Sequence, residues 1–251
     1  MASFEAATLV ERFDFTPELA VFRVAPLARL DFIPGQFATL GIEESGKLIQ
    51  RAYSIASSPT ELVLEFFIEL VPGGLLTPRL WELRPGDRLL MRNQAAGTFF
   101  LDSKSGFVKH LMIATVTGAA PFISMVRSNA LMLNHPSDGQ FSFLLLHGAS
   151  HSREFGFYKD ELSAFARQRW LTYIATVSRP LEDADWVGET GRVEDVIRKY
   201  GDALGYEHTN SVAYACGHPV MVENAKGVFG RARFHKRQIH TEKYFTIKLP
   251  R

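Results

Sequence analysis

The chain has 251 residues and a single cysteine, Cys216. One thiol excludes an internal disulfide and any iron–sulfur cluster held by cysteines of this chain. Long apolar runs are missing as well, since no stretch approaches the ~18 apolar residues of a membrane span. An excess of either charge sign is absent, and a formal net charge of +1 gives no global reason to expect nucleic acid as a partner. The opening Met1-Ala2-Ser3-Phe4-Glu5 has neither the basic start nor the apolar core of a signal peptide. A soluble, cytoplasmic protein is the expectation. What is present is ordinary for a globular chain, with 46% apolar and 22% charged residues. The length suffices for two domains.

Two rhythms divide the sequence. Up to about Asn93, short strand candidates (Leu9-Val10, Leu19 to Val24, Gln36 to Ile42, Leu48 to Ala56, Leu62 to Leu70) alternate with Pro17, Pro26, Pro34-Gly35, Ser45-Gly46 and Ser57-Ser58-Pro59. That spacing predicts an antiparallel β-barrel, with Arg84 to Leu90 as turn and strand and Ala96 to Phe99 closing it. Small and polar residues from Asp102 to Gly106 mark a linker, so the domains are placed at 1–103 and 104–251. Beyond the linker, apolar strands (Leu111 to Thr115, Phe141 to Leu146, Leu171 to Val177, Val212 to Cys216, and about Ile239 to Ile247) alternate with helices. The helices begin at Pro121 and Pro219 and lie near Tyr158 to Gln168 and Val193 to Tyr200. This pattern predicts an α/β domain with a doubly wound parallel sheet. Such sheets bind ligands beyond the carboxyl ends of their strands, here just after Thr115, Leu146, Val177 and Cys216.

Several stretches carry chemistry. Arg51-Ala52-Tyr53-Ser54 offers a guanidinium for a phosphate, an aromatic face for a planar ring and a hydroxyl for a ring nitrogen. Arg51 and Tyr53 share a face of a strand. Gly73-Gly74-Leu75-Leu76-Thr77 leads into a helical period, and a glycine turn at a helix start leaves backbone N–H groups for an anion. Thr115-Val116-Thr117-Gly118-Ala119-Ala120-Pro121 is another tight turn into a helix, distinct from the six-residue dinucleotide fingerprint. His147 and His151 stand four apart but lack the intervening Glu of a zinc helix, and no metal site is expected.

The Arg51 to Ser54 run resembles the flavin-binding motif of the ferredoxin–NADP reductase family, which also has Pro34-Gly35-Gln36-Phe37 upstream. Gly74 to Thr77 stands where the family has a pyrophosphate-binding turn. Thr117 to Phe122 matches the family's Gly-Thr-Gly-x-Ala-Pro, with Val116 at the first glycine. Cys216-Gly217-His218-Pro219 matches Cys-Gly-x-Pro. The resemblance covers nearly the whole chain and is to the bacterial ferredoxin (flavodoxin) branch. It implies a barrel domain that binds FAD and a second domain that binds NADP. For FAD it implies Arg51 on the pyrophosphate, Tyr53 packed on the isoalloxazine and Ser54 near flavin N5. It adds Ala52, Phe67, Ile68, Glu69, Gly74, Leu75, Leu76, Thr77 and Thr117, and Phe245 near the C-terminus with Tyr244 as the alternative. The segment after Phe245 resembles a tail that covers the flavin.

For NADP the resemblance implies Thr117, Gly118, Ala149, Ser150, Ser178, Arg179, Arg192, Cys216, Gly217 and Met221. Two Arg and a Ser favour a dianionic 2′-phosphate, hence NADPH, with NADH as the alternative. Ser54 and Cys216 are the implied catalytic residues, Cys216 positioning the nicotinamide rather than acting covalently. The implied activity is hydride transfer between nicotinamide C4 and FAD N5 and electron exchange with a separate ferredoxin or flavodoxin. Two basic clusters, Arg79/Arg84/Arg88/Arg92 and Arg231/Arg233/Lys236/Arg237, are candidate docking faces. A monomer is expected. The same motifs fit a free flavin reductase or the reductase component of an oxygenase, and a flavin-binding redox sensor without turnover is the remaining alternative.

Overall fold

Pairs of strands joined by tight turns begin the chain, in a computed structural model that describes residues 3–132 and 141–245. The chain divides into two units, Met1–Leu101 with Ala120–Ser128, and Asp102–Ala119 with Asn129–Arg251.

The first unit contains β1 (Phe4–Thr16), β2 (Leu19–Pro26), β3 (Phe37–Glu44), β4 (Lys47–Ser54), β5 (Leu64–Glu69) and β6 (Arg88–Arg92), with the short helix α1 (Thr77–Glu82). The strands pair antiparallel in the order β4-β3-β6-β1-β2-β5. The two edges meet where the Ala56 N–H donates to the Glu65 carbonyl at 2.8 Å, just past the end of β4. The β3–β4 hairpin turns at Ser45 and Gly46, both at positive φ (52° and 74°). This geometry matches the right-handed strand twist and suits a small residue followed by glycine. Alternation gives the inner face: Ala7 and Leu9 of β1, Ala20, Phe22 and Val24 of β2, Ala38 and Leu40 of β3, and Leu64, Phe66 and Ile68 of β5 form one core with Leu89 and Met91 of β6.

Strand β1 is longer than the Leu9-Val10 expected from sequence. Charged residues at Glu11, Arg12 and Asp14 hide its period, and its register shifts between Leu9 and Glu11 and again between Asp14 and Thr16. Such bulges let a strand bend with the closing sheet.

The loop after β4 is held from several sides within this unit. The helix α2 (Ala120–Met132) supplies Ser124, whose hydroxyl donates to the Ser57 carbonyl at 2.7 Å. It also supplies Arg127, which pairs with Glu65 at 3.0 Å. Glu65 is only 2% exposed and pairs with Arg23 at 2.8 Å as well. A buried carboxylate needs such partners, because desolvation of a lone charge is costly.

The second unit holds β7 (Lys109–Thr115), β8 (Ser142–Ala149), β9 (Leu171–Val177), β10 (Glu189–Thr190), β11 (Ser211–Gly217) and β12 (Ile239–Lys243). All are parallel, in the order β10-β9-β8-β7-β11-β12. The helices α3 (Tyr158–Phe165), α4 (Ile197–Ala203) and α5 (Pro219–Arg231) lie between the strands in sequence. The order reverses at β7, so the crevice at the ends of β7 and β11 is a topological switch point. This is the doubly wound arrangement expected from sequence. The linker joins this unit through Asp102, whose N–H donates to the Tyr214 hydroxyl of β11 at 2.9 Å. The Asp102 carboxylate closes the linker turn by accepting the Lys104 and Ser105 N–H groups at 3.0 Å.

Several elements differ from expectation. The helix near Tyr158 stops at Phe165. The Val193 to Tyr200 segment is a 3-10 turn, Val193–Val196, that leads into α4. The two-residue strand β10 has no sequence signal, since Glu189 and Thr190 carry no apolar period. The expected last strand is present as β12, which ends at Lys243. Residues 246 and 247 of that expectation, and the tail after Phe245, lie outside the described residues.

Candidate functional site

In the first unit, β4 is an edge strand paired only with β3, placing Ala38 opposite Tyr53 and Phe37 opposite Ser54. Arg51 and Ala52 are exposed. The Arg51 guanidinium reaches the adjacent Gln50 carbonyl at 2.6 Å, and among the described residues no carboxylate pairs with it. Tyr53 is half-buried against the core, and burial pushes its phenol above the ordinary range. Ser54 is buried, and among the described residues its hydroxyl makes no hydrogen bond. A free cation, a partly covered aromatic face and a free hydroxyl on one strand fit the three chemistries of a flavin dinucleotide: pyrophosphate, fused ring and ring nitrogen.

The neighbouring residues divide by burial. Phe67 and Ile68 are buried, Ile68 in the core and Phe67 edge-on to Phe15 at 6.0 Å, so only their backbone is open to a ligand. Glu69 is exposed. In the glycine turn Leu75 is exposed and Leu76 is in the core. The Thr77 hydroxyl accepts the Val71 N–H at 3.0 Å and so closes the turn. The turn therefore offers a ligand its backbone rather than the Thr77 side chain. Of the nearby basic cluster, Arg79 is engaged by Glu44.

In the second unit the predicted residues gather at the carboxyl edge of the sheet, in two groups. Around β7 and β11, the 3-10 turn Val116–Ala119 presses on the end of β11. A Cβ on Gly118 would lie 2.3 Å from the Cys216 carbonyl oxygen, and one on Gly217 would lie 2.5 Å from the Thr115 hydroxyl, so neither position tolerates a side chain. Thr117 and Cys216 are buried. Burial pushes the Cys216 thiol well up, with the Glu242 charge adding to it and a hydrogen bond with Tyr244 opposing it. The thiol stays protonated, which suits contact rather than nucleophilic attack. The Tyr244 hydroxyl donates to the Thr117 carbonyl at 2.9 Å, and its N–H donates to the Gly217 carbonyl at 3.3 Å. Phe245 is exposed and edge-on to His218 at 5.3 Å. Met221 stands apart, since its side chain is in the core.

Around β8, β9 and β10, the Ser178 N–H donates to the Ala149 carbonyl at 2.9 Å and the Arg179 N–H to the Ser150 carbonyl at 3.1 Å. Arg192 follows Gly191, whose N–H donates to the Val177 carbonyl at 2.8 Å. Ser178, Arg179 and Arg192 are all exposed, as a phosphate clamp requires.

Sequence reasoning missed two acidic features here. Glu242 lies beside Cys216 in the β11–β12 register, and burial raises its carboxyl from an ordinary value of 4.5 to about 7. Its signal appears only once the two strands are paired. Glu182 pairs with Arg179 at 3.7 Å and with His151 at 3.1 Å. His151 also contacts Glu154 at 3.1 Å, and these carboxylates raise its pKa, Glu154 most. The i, i+3 spacing of Arg179 and Glu182 is readable in sequence; their tie to His151 is not.

Comparison with known proteins bears on the family and the fold. The oxidoreductase FAD-binding domain family matches residues 6–99, and the oxidoreductase NAD-binding domain family matches residues 112–227. A Flavodoxin/ferredoxin–NADP reductase of Escherichia coli is 32% identical over 204 residues, which is 78% of each chain. The fold is also that of a ferredoxin NADP+ reductase from Neisseria gonorrhoeae with bound FAD and NADP, at 24% identity and a TM-score of 0.82 over 98% of this chain and 100% of that one. A ferredoxin reductase in carbazole 1,9a-dioxygenase is 25% identical with a TM-score of 0.76, over 97% of this chain and 70% of that one.

Fold and domains define a two-domain oxidoreductase that uses FAD and NADP(H). The chain belongs to the ferredoxin–NADP reductase family.

Proposed function

We propose that this reductase moves electrons between NADPH and a separate one-electron carrier protein, a ferredoxin or flavodoxin. The observation that carries the reading is the 32% identity, over 78% of each chain, to a protein named Flavodoxin/ferredoxin–NADP reductase. The lone Cys216 supports it, because a chain with one cysteine needs an outside partner for any cysteine-held iron–sulfur cluster.

Bound FAD would supply the exchange between a two-electron donor, NADPH, and a carrier that takes electrons one at a time. The chain's own residues bind and orient. Arg51 holds the FAD pyrophosphate with the backbone of the Gly74 to Thr77 turn. Tyr53 covers the ring system, and the free Ser54 hydroxyl donates toward N5. Ala52 and the backbone of Phe67, Ile68 and Glu69 line the same ligand. On the nucleotide, Thr117, Gly118, Cys216 and Gly217 receive the nicotinamide end. Ala149, Ser150, Ser178, Arg179 and Arg192 receive the adenosine ribose and its 2′-phosphate. Thr117 serves both ligands, Phe245 is the aromatic on the flavin side, and Met221 acts from the core.

The test is NADPH-driven turnover with a ferredoxin, a flavodoxin and free FMN offered in parallel. Higher kcat/KM with a protein carrier is expected, and turnover with free FMN alone would overturn the reading. The likeness to the carbazole dioxygenase reductase favours a second reading, a reductase serving an oxygenase. In that case an oxygenase component supports turnover with a higher kcat/KM than either carrier.

A further inference from the structure

Val116 stands at a position where a glycine would be at ease. Its φ of 42° lies in the left-handed region, which a β-branched residue rarely adopts. Two things hold it there. Its side chain packs on a small apolar cluster of Ala149, Phe155 and Val177, beside Trp186. Its carbonyl accepts a hydrogen bond from His147 Nε2 at 2.9 Å.

His147 is fully buried in β8, edge-on to Phe155 at 4.8 Å. Its other nitrogen, Nδ1, accepts from the Tyr173 hydroxyl of β9 at 3.2 Å. The two contacts fix one tautomer, with the proton on Nε2 facing Val116. Burial lowers its pKa to about 4, so the ring stays neutral in that form. The direction the chain takes at Val116 then carries Gly118 against the Cys216 carbonyl, where a Cβ would be 2.3 Å away.

We infer that His147, oriented by Tyr173, is a positioning residue that holds Val116 in the left-handed conformation and thereby shapes the nucleotide-binding turn without a glycine at its first position. This inference rests on the reading of Thr117 and Gly118 as nicotinamide contacts. It makes His147 and Val116 one coupled unit: the histidine matters because the valine is strained. Replacing Val116 by glycine removes the need for the histidine.

The experiment is a double-mutant cycle on the FAD-loaded protein, with flavin reduction by NADPH followed anaerobically against nucleotide concentration. His147→Leu is expected to weaken NADPH binding by about ten-fold, the ratio that corresponds to one lost buried hydrogen bond. The limiting reduction rate should change far less than the affinity. His147→Gln, which keeps an N–H donor, should recover much of the loss. The pair His147→Leu with Val116→Gly should bind NADPH as tightly as Val116→Gly alone. Tyr173→Phe removes one hydroxyl at nearly constant volume and covers the case in which the leucine variant does not fold. It should show a smaller loss of affinity that Val116→Gly also abolishes. Equal losses from His147→Leu or Tyr173→Phe with and without Val116→Gly would overturn the inference. A flavin in the unsubstituted protein that NADPH does not reduce would instead overturn the reading beneath it.

Discussion

Ser54 and Glu242 are side chains whose surroundings set what they do. Ser54 ends β4 with its hydroxyl unspent, so Ser54→Ala should slow flavin reduction by NADPH while FAD stays bound. Stopped-flow absorbance checks this, and an unchanged rate would remove Ser54 from the site. Glu242 is held in a half-buried position that favours its neutral form, with its carboxyl raised to about 7. Between the ordinary carboxyl range and that value, the unfolded chain ionises while the folded one does not, so folding stability falls as pH rises through this window and stays lower above it. Glu242→Gln should therefore raise the melting temperature relative to the parent at pH 8 and leave the difference small at pH 4. Equal shifts at both pH values would mean that the charge is not the cause. Arg51, Tyr53 and Ser54 were legible because their chemistry lies in one short stretch. Glu242 was not, because its neighbour Cys216 is brought beside it only by the parallel pairing of β11 and β12.

In the proposed function the strand-end loops set nucleotide choice. There Arg179 receives the 2′-phosphate, and Glu182 would compete for that guanidinium, with which it pairs at 3.7 Å. An exposed pair of this kind is worth little by itself, and its removal is expected to shift affinity by about two-fold to five-fold. Glu182→Gln should lower the KM for NADPH by that amount and leave the KM for NADH unchanged, because NADH lacks the 2′-phosphate. A matching change for NADH would show that the residue acts on the fold of the loop. Most elements were readable from period and punctuation: β9 spans Leu171–Val177 as expected, and α5 begins at Pro219. The unread parts have physical causes. Strand β1 is disguised by charged residues on its outer face, β10 is too short to show a period, and the conformation of Val116 is imposed by its partner His147.

Across the whole molecule, the proposed flavin contacts fall mainly on the antiparallel unit, with Thr117 and Phe245 in the second, and the proposed nucleotide contacts fall at the strand ends of the parallel sheet. The change from hairpin punctuation to alternating strands and helices made this division visible in the sequence. The identity of the carrier was not, because a docking face is distributed charge and at least one of its candidates is already engaged, as Arg79 is by Glu44. The proposed function requires that NADPH reduce the bound FAD. Anaerobic stopped-flow mixing of the yellow protein with NADPH and, separately, with NADH tests it most directly. Rapid bleaching of the flavin band is expected, with a clear preference for NADPH. No bleaching by either nucleotide would contradict it.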